Sequence, residues 1–359
     1  MAERTNAVSG LIDGMIDGMT ADLGGPRTTA VLARLDRAVP WAALVKPIAA
    51  LPEYRGKAPG ADKGGRPAWP ALTMLKCVLL AKWFGLSDPQ LEECLMDRLS
   101  FRRFAGLSLT DATPDETTFV RFRARLREAG LGRTLFDDTL KHLEKLGLLV
   151  KGGTLVDATI IEQARGSRRD DGTSTRDPEA NFTKKNGEAY HGYKGSVAAD
   201  RSAIVTDYRF SDAAPHDSNF IDDLTVNETK MVVADTAYRS ARREAALTAR
   251  GVSCAIAFKR KRGQKDLPPL KRLNRMIASV RAVVEHPFAW MKNMGYRRVR
   301  YRGRRRNEVD FALNLIAYNW KTSLSLTKAA RRLAPKVEKQ SARWTRPGSH
   351  AVTSPHAAR

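Results

Sequence analysis

The sequence predicts an α/β layer fold preceded by a small all-α domain, and three observations predict it. From Trp69 to Gly130 apolar residues recur at helical spacing between recognisable start and stop signals. At Gly152 the character switches to short β-branched runs, TLVDATII (154–161) and MVVAD (231–235), each holding one aspartate. These runs then alternate with amphipathic helical stretches, and strands alternating with helices are the mark of a sheet covered by helices.

Residues 5 to 50 read as short amphipathic helices broken at Gly24, Gly25 and Pro26, and again at Pro40 and Pro47. The stretch 52–67, rich in Gly, Pro and charge, reads as a linker. We therefore place an N-terminal helical arm and linker at 1–66 and a helical domain at 67–150. Within the latter, a helix ends at Gly85, Ser87 and Gln90 form a capping pair, and Thr113, Pro114 and Glu116 read as N-cap, first-turn proline and capping-box glutamate. The next helix carries Arg121, Arg123, Arg125 and Arg127 around a stripe of Phe119, Phe122 and Leu126. Short helices of this kind suit a helix-turn-helix-like DNA reader, and equally a helical bundle with a solvated basic face.

An α/β domain is expected over 151–320. Gly166 to Glu188 has no periodicity and reads as a loop. Next come a strand pair turning near Asp200 to Ser202, a helix around 218–226, the strand ending in Asp235, a helix at 240–251 and a strand at 251–258. After the basic connector 259–270, the segment 275–292 reads as one helix, with Arg281, Glu285 and Lys292 on one side and Ile277, Val280, Val284, Phe288 and Met291 beside them. Pro287 is expected to kink or restart it. Beyond it, seven arginines between 297 and 306 interleave with Tyr296 and Tyr301, as a phosphate-tracking ribbon would. Residues 311–320 form a packing helix, and 321–359 reads as a basic, disordered tail.

Charge narrows the partners. Sixty-two Lys and Arg against 39 Asp and Glu leave +23, which favours a polyanion, and nucleic acid is the leading candidate. No stretch is long and apolar enough for a membrane span, and the N-terminus lacks a basic segment leading into an apolar run, so a soluble, intracellular protein is expected. Three scattered cysteines exclude a disulfide framework, and neither they nor the six histidines show zinc spacing.

The pattern Arg281-x3-Glu285-x6-Lys292, followed by MGYRRVRYRGRRRNEVDFALNLIAYN (294–319), resembles the third-acid block of the DDE transposases of bacterial insertion sequences. The words VEHPF and RYRG and the closing apolar helix are most similar to the insertion sequence five family. Asp157 in TLVDATII, Asp235 in MVVADTAYRS and the intervening stretch 190–218 resemble that family's remaining blocks, in the same order. In one respect the chain departs from the related signature: a tyrosine three residues before the arginine is here Ala278.

The resemblance implies a ribonuclease-H-like catalytic domain and a transposase that binds terminal inverted repeats and performs DNA strand cleavage and transfer. It implies that Asp157, Asp235 and Glu285 hold two Mg²⁺ ions, with Mn²⁺ able to substitute, and that Arg281 and Lys292 support them. Three carboxylates suit that chemistry, since two hard cations ~3.5–4 Å apart can activate a nucleophile and neutralise a leaving oxygen. DNA contacts are expected from Arg121, Arg123, Arg125, Tyr193, Lys194, Arg297, Arg298, Arg300 and Arg302. The partners would be terminal-repeat and target DNA, bound by a homo-oligomer in the bacterial cytoplasm, at the nucleoid. The competing readings are a ribonuclease-H-like nuclease without strand transfer, and a catalytically inert DNA-binding regulator.

Overall fold

A computed structural model describes residues 27–54, 68–258 apart from 168, 173 and 186, and 268–344. Much of the expected linker 52–67 and of the basic connector lies outside the described residues, as does most of the arm before Arg27.

Among the described residues seven helices precede the sheet: α1 (Arg27–Ala38), α2 (Trp41–Ala49), α3 (Ala71–Phe84), α4 (Asp88–Asp97), α5 (Leu99–Ala105), α6 (Glu116–Glu128) and α7 (Leu131–Lys145). Their boundaries follow local chemistry. Gly85 closes α3 in the left-handed conformation that glycine adopts without strain, and Ser87 and Gln90 form a complete capping box for α4. At α6 the cap is Asp115, not the expected Thr113: its Oδ1 accepts from Thr118 N at 2.6 Å, while Glu116 N donates away to Glu92. A carboxylate adjoining the first turn outcompetes a threonine two residues further back.

Six strands form one sheet: β1 (Thr154–Glu162), β2 (Asn181–Lys185), β3 (Glu188–Ala199), β4 (Val205–Asp212), β5 (Met231–Ala234) and β6 (Ser253–Ile256). The order is β2-β3-β1-β5-β6 with β4 paired to β3; β1 runs antiparallel to β3 and parallel to β5. Strand β2 lies inside the stretch expected to be a loop. Its sequence NFTKK is exposed at four of five positions, so it shows no alternation to read, and its backbone pairing with β3 holds it.

The remaining helices are α8 (Ile221–Leu224), α9 (Ala241–Ala249), α10 (Pro268–Arg281), α11 (Glu285–Asn293) and α12 (Arg304–Trp344). The expected single helix 275–292 is thus two, joined by a 3₁₀ turn at Ala282–Val284. Pro287 sits in the first turn of α11, where its missing N–H costs nothing, and the restart expected of it occurs there. Ile277, Val284, Phe288 and Met291 are buried as the stripe requires. At the other end, α12 continues past Trp320 to Trp344, so the first part of the expected 321–359 tail is helical. Ala, Leu, Lys and Arg dominate that continuation and favour helix. Residues 345–359 lie outside the described residues.

The main core runs unbroken from Leu32 through Phe136 and Val197 to Trp320. Helix α12 is its axis: Phe311 presses onto Gly195 of β3, Val309 and Ala312 pack on Gly132 of α7, and Ala317 O accepts from Trp83 Nε1 of α3 at 2.8 Å. A second cluster, containing Val156, Ala198, Ala234 and Tyr238, covers the other sheet face.

Candidate active site

Two adjacent parallel strands bring the first two acids together. Leu155 of β1 stands opposite Val233 of β5; Asp157 lies two residues further along β1, and Asp235 follows directly on the last residue of β5. Their predecessors Val156 and Ala234 are both fully buried in the second cluster, which anchors the backbone beneath the carboxylates. Asp235 ends its strand by capping a 3₁₀ turn, Thr236–Tyr238, with Oδ1 accepting from Thr236 N at 2.6 Å. Asp157 lies inside its strand, and its Oδ1 accepts from the neighbouring Ala158 N at 2.9 Å.

The third acid arrives from α11. Glu285 is the first residue of that helix and is half exposed, with Arg281 at the end of α10 3.3 Å from its Oε1. The same guanidinium lies 3.7 Å from Asp157 Oδ2. Arg281 therefore stands between two of the three carboxylates, and the 3₁₀ turn sets its position relative to Glu285.

Burial raises the pKa of Asp157 above the ordinary aspartate value. The Ala158 N–H and Arg281 oppose that rise, while the carboxylates of Glu285 and Asp235 add to it. Asp157 thus senses both other acids, and the three share one electrostatic neighbourhood. Among the described residues no three His, Cys, Asp or Glu side chains converge closely enough to enclose an ion. The donor set nevertheless suits a hard divalent cation, since it consists of carboxylate oxygens, and the half-exposed Glu285 has room to turn.

Lys292 is exposed and pairs with no acid among the described residues, one helical element beyond Arg281. Three of the expected DNA contacts lie inside the fold. Tyr193 is fully buried and donates to Asp177 Oδ2 at 2.7 Å. Lys194 is 6% exposed, held by Asp217 Oδ1 at 2.7 Å and Pro215 O at 2.6 Å. Arg123 is buried against Asp88 and the ring of Tyr301. Each is committed to structure, so none is available to DNA as placed. Arg121, Arg297, Arg298, Arg300 and Arg302 are not buried in this way: Arg121, Arg297, Arg298, Arg300 and Arg302 are exposed, and Arg125 is half-buried 3.7 Å from Glu53. Tyr238, which the sequence does not single out, is 2% exposed at the end of the turn that Asp235 caps, and a tyrosine on a short turn carries no periodic signal.

Two family models match the chain: Transposase DDE domain over residues 149–320, and Transposase domain (DUF772) over residues 25–125. The chain carries the catalytic domain of a DDE transposase. It is accordingly a metal-dependent DNA cleavage and transfer enzyme, and its mixed sheet flanked by helices is the ribonuclease-H-like fold of that transposase domain. The DDE match spans all six strands together with α10, α11 and the first part of α12, so Asp157, Asp235 and Glu285 all lie within it. No solved structure matches the chain. No helix among the described residues is long and apolar enough to cross a membrane.

Proposed function

We propose that this transposase serves a bacterial insertion sequence of the insertion sequence five family. It binds the element's terminal inverted repeats as a homo-oligomer, cleaves the DNA strand at the element end and joins that end to target DNA, acting at the nucleoid. The observation that carries the reading is the parallel pairing of β1 with β5, with Asp157 in the one and Asp235 at the end of the other, and with Glu285 tied to Asp157 through Arg281.

In this reading Asp157, Asp235 and Glu285 hold two Mg²⁺ ions, for which Mn²⁺ can substitute. Bound there, the metals supply an activated oxygen nucleophile and neutralise the leaving oxygen. Asp157 in its strand and Asp235 at the end of the neighbouring one fix the shared part of the site, and Glu285 on its helix completes it. Arg281 steers Glu285 and offsets the mutual repulsion of the acids. Lys292 and the exposed Arg121, Arg297, Arg298, Arg300 and Arg302 meet phosphates, and their salt-sensitive contacts supply affinity.

Asp157→Asn, Asp235→Asn and Glu285→Gln are each expected to abolish cleavage of terminal-repeat DNA while leaving DNA binding largely intact. Gel-shift and cleavage assays on the same preparations test this, and full cleavage by any one variant removes that residue from the site.

A further inference from the structure

The arginines between 297 and 306 do not lie along one ribbon. Arg297 and Arg298 stand at the end of β1, where Glu162 N donates to Arg297 O at 3.2 Å and Val299 N donates to Glu162 O at 2.8 Å. Arg300 gives a guanidinium N–H to Leu86 O at 2.5 Å. Beyond Tyr301 the chain enters α12, and Arg305 and Arg306 are exposed on its first turn. Together with Arg302 and with Arg127 of α6, these two line an open cavity of about 390 Å³. Its acids are already committed. Asp177 is 1% exposed, and its Oδ2 accepts from Gly303 N and from Tyr193 Oη, each at 2.7 Å. Glu179 Oε2 accepts from Arg304 N at 2.5 Å. Arg127 pairs with its neighbour Glu128 at 2.7 Å, and Arg302 donates to a carbonyl, Arg176 O, at 2.9 Å. Arg305 and Arg306 pair with no acid among the described residues. The adjoining cavity, which shares Arg127 and Arg305, differs: its further arginine, Arg133, is held by Asp137 Oδ1 at 2.9 Å and Asp207 Oδ1 at 2.6 Å.

Four arginines from two distant parts of the chain around one concavity repel each other, and an anion placed between them removes that repulsion. The guanidinium fork matches phosphate oxygens in particular, and a chain that cleaves and transfers DNA meets phosphates in the backbone of a duplex. None of the lining residues lies on the strands or the helix that position Asp157, Asp235 and Glu285. We infer that this cavity is a second DNA site, separate from the acidic centre, which grips a duplex by its phosphates through Arg127, Arg305 and Arg306. Phosphate contacts carry no base information, so the site takes DNA of any sequence. Two sources share that chemistry: DNA flanking an element end held at the acids, and a separate target duplex. The inference adds a site to the proposed function and needs only that the chain works on DNA.

The test is fluorescence anisotropy of the full-length protein over a range of salt concentrations on three duplexes: random sequence, a terminal repeat ending at its outer edge, and the same repeat extended by flanking DNA. Arg305→Gln/Arg306→Gln removes two phosphate contacts. The slope of log affinity against log salt on random duplex should become shallower by about two, with affinity weaker on the order of tenfold. Arg127→Gln, from the α6 side of the cavity, should lower the slope by about one. Lys230→Gln/Arg242→Gln takes the same charge from exposed positions elsewhere and should leave the slope as in wild type. A loss on random duplex with both repeat duplexes bound as before assigns the site to a separate target. A loss that extends to the flanked repeat and spares the bare one assigns it to flanking DNA. An unchanged slope in Arg305→Gln/Arg306→Gln overturns the inference, as does an equal fall in Lys230→Gln/Arg242→Gln, which would make net charge the cause. A loss on the bare repeat as large as on random duplex overturns it too, because the arginines would then hold the repeat itself. If the α12 substitutions lower the melting temperature, Arg127→Gln alone must still show the shallower slope. Random duplex suffices for the slope, so the outcome is independent of whether the protein recognises terminal repeats.

Discussion

Asp157 shows how one carboxyl connects fold and chemistry. Because burial in its strand and the adjoining acids raise its pKa, the folded protein binds a proton there over a window in which the unfolded chain does not. Stability from this group is therefore gained as pH falls through that window and lost as pH rises above it. In its proposed metal-holding role Asp157 must be ionised, so the two demands oppose each other. We expect divalent-metal affinity to fall, on acidification, at a pH above the ordinary aspartate range, and the metal-free Asp157→Asn variant to melt no lower than wild type at neutral pH. Metal titrations from about pH 4 to 8 check the first expectation; an acid limb at the ordinary aspartate value would count against it. Asp157 and Asp235 stand out in the sequence as candidates because an aspartate in a β-branched run has few structural excuses. The burial of Tyr193 and Lys194 is not, because β3 is buried on both faces from His191 to Ala199 and has no alternation to separate inside from outside.

At the scale of elements, periodicity locates most of the strands and many of the helices but neither α7 nor the joint that matters most. Arg281, Glu285 and Lys292 share one side only of a continuous α-helix, and three residues of 3₁₀ winding between α10 and α11 rotate the downstream helix by on the order of 60°. Pro287 is the visible clue, since a proline in a first turn ends the hydrogen-bond ladder of whatever precedes it. Pro287→Ala should allow α10 and α11 to merge and swing Glu285 relative to Arg281. With Glu285 in its proposed catalytic role, displacement by ~1 Å can cost ~10²-fold in rate, so cleavage should drop by one to two orders of magnitude while thermal stability changes little. Cleavage rates and melting curves on the variant decide the matter. Wild-type rates would mean that burial of Val284 and Phe288, not the proline, sets the break. Strand β2 is illegible for a different reason: an exposed, lysine-bearing edge is selected against self-association, which removes the pattern by which strands are recognised.

At the scale of the molecule, the helices within 67–150 close around α12 in one core with the sheet. Composition does not reveal this, because the contacts join residues far apart in the chain, Lys82 of α3 with Asp310 of α12 among them. These two seal the joint as a buried ion pair, with Lys82 5% and Asp310 0% exposed. Desolvation outweighs the attraction of Asp310 and lowers the Lys82 pKa to about 8, so charge at this joint is held at a cost. Removing one partner strands the other: Lys82→Met should destabilise by about 3–5 kcal/mol, and Lys82→Met with Asp310→Leu should recover most of that loss. Folded Lys82 releases its proton at about 8 against 10.5 for the free side chain, so between those values the unfolded chain binds more protons and wild type gains stability from this group as pH rises. The double variant lacks the group and should lack that gradient. Urea melts of the three proteins at about pH 7 and about pH 9.5 measure both effects. Equal destabilisation by the single and double variants would show that the pair holds the joint through attraction that apolar packing cannot replace, and the helical part and the sheet would then be coupled by charge and not by their shared core.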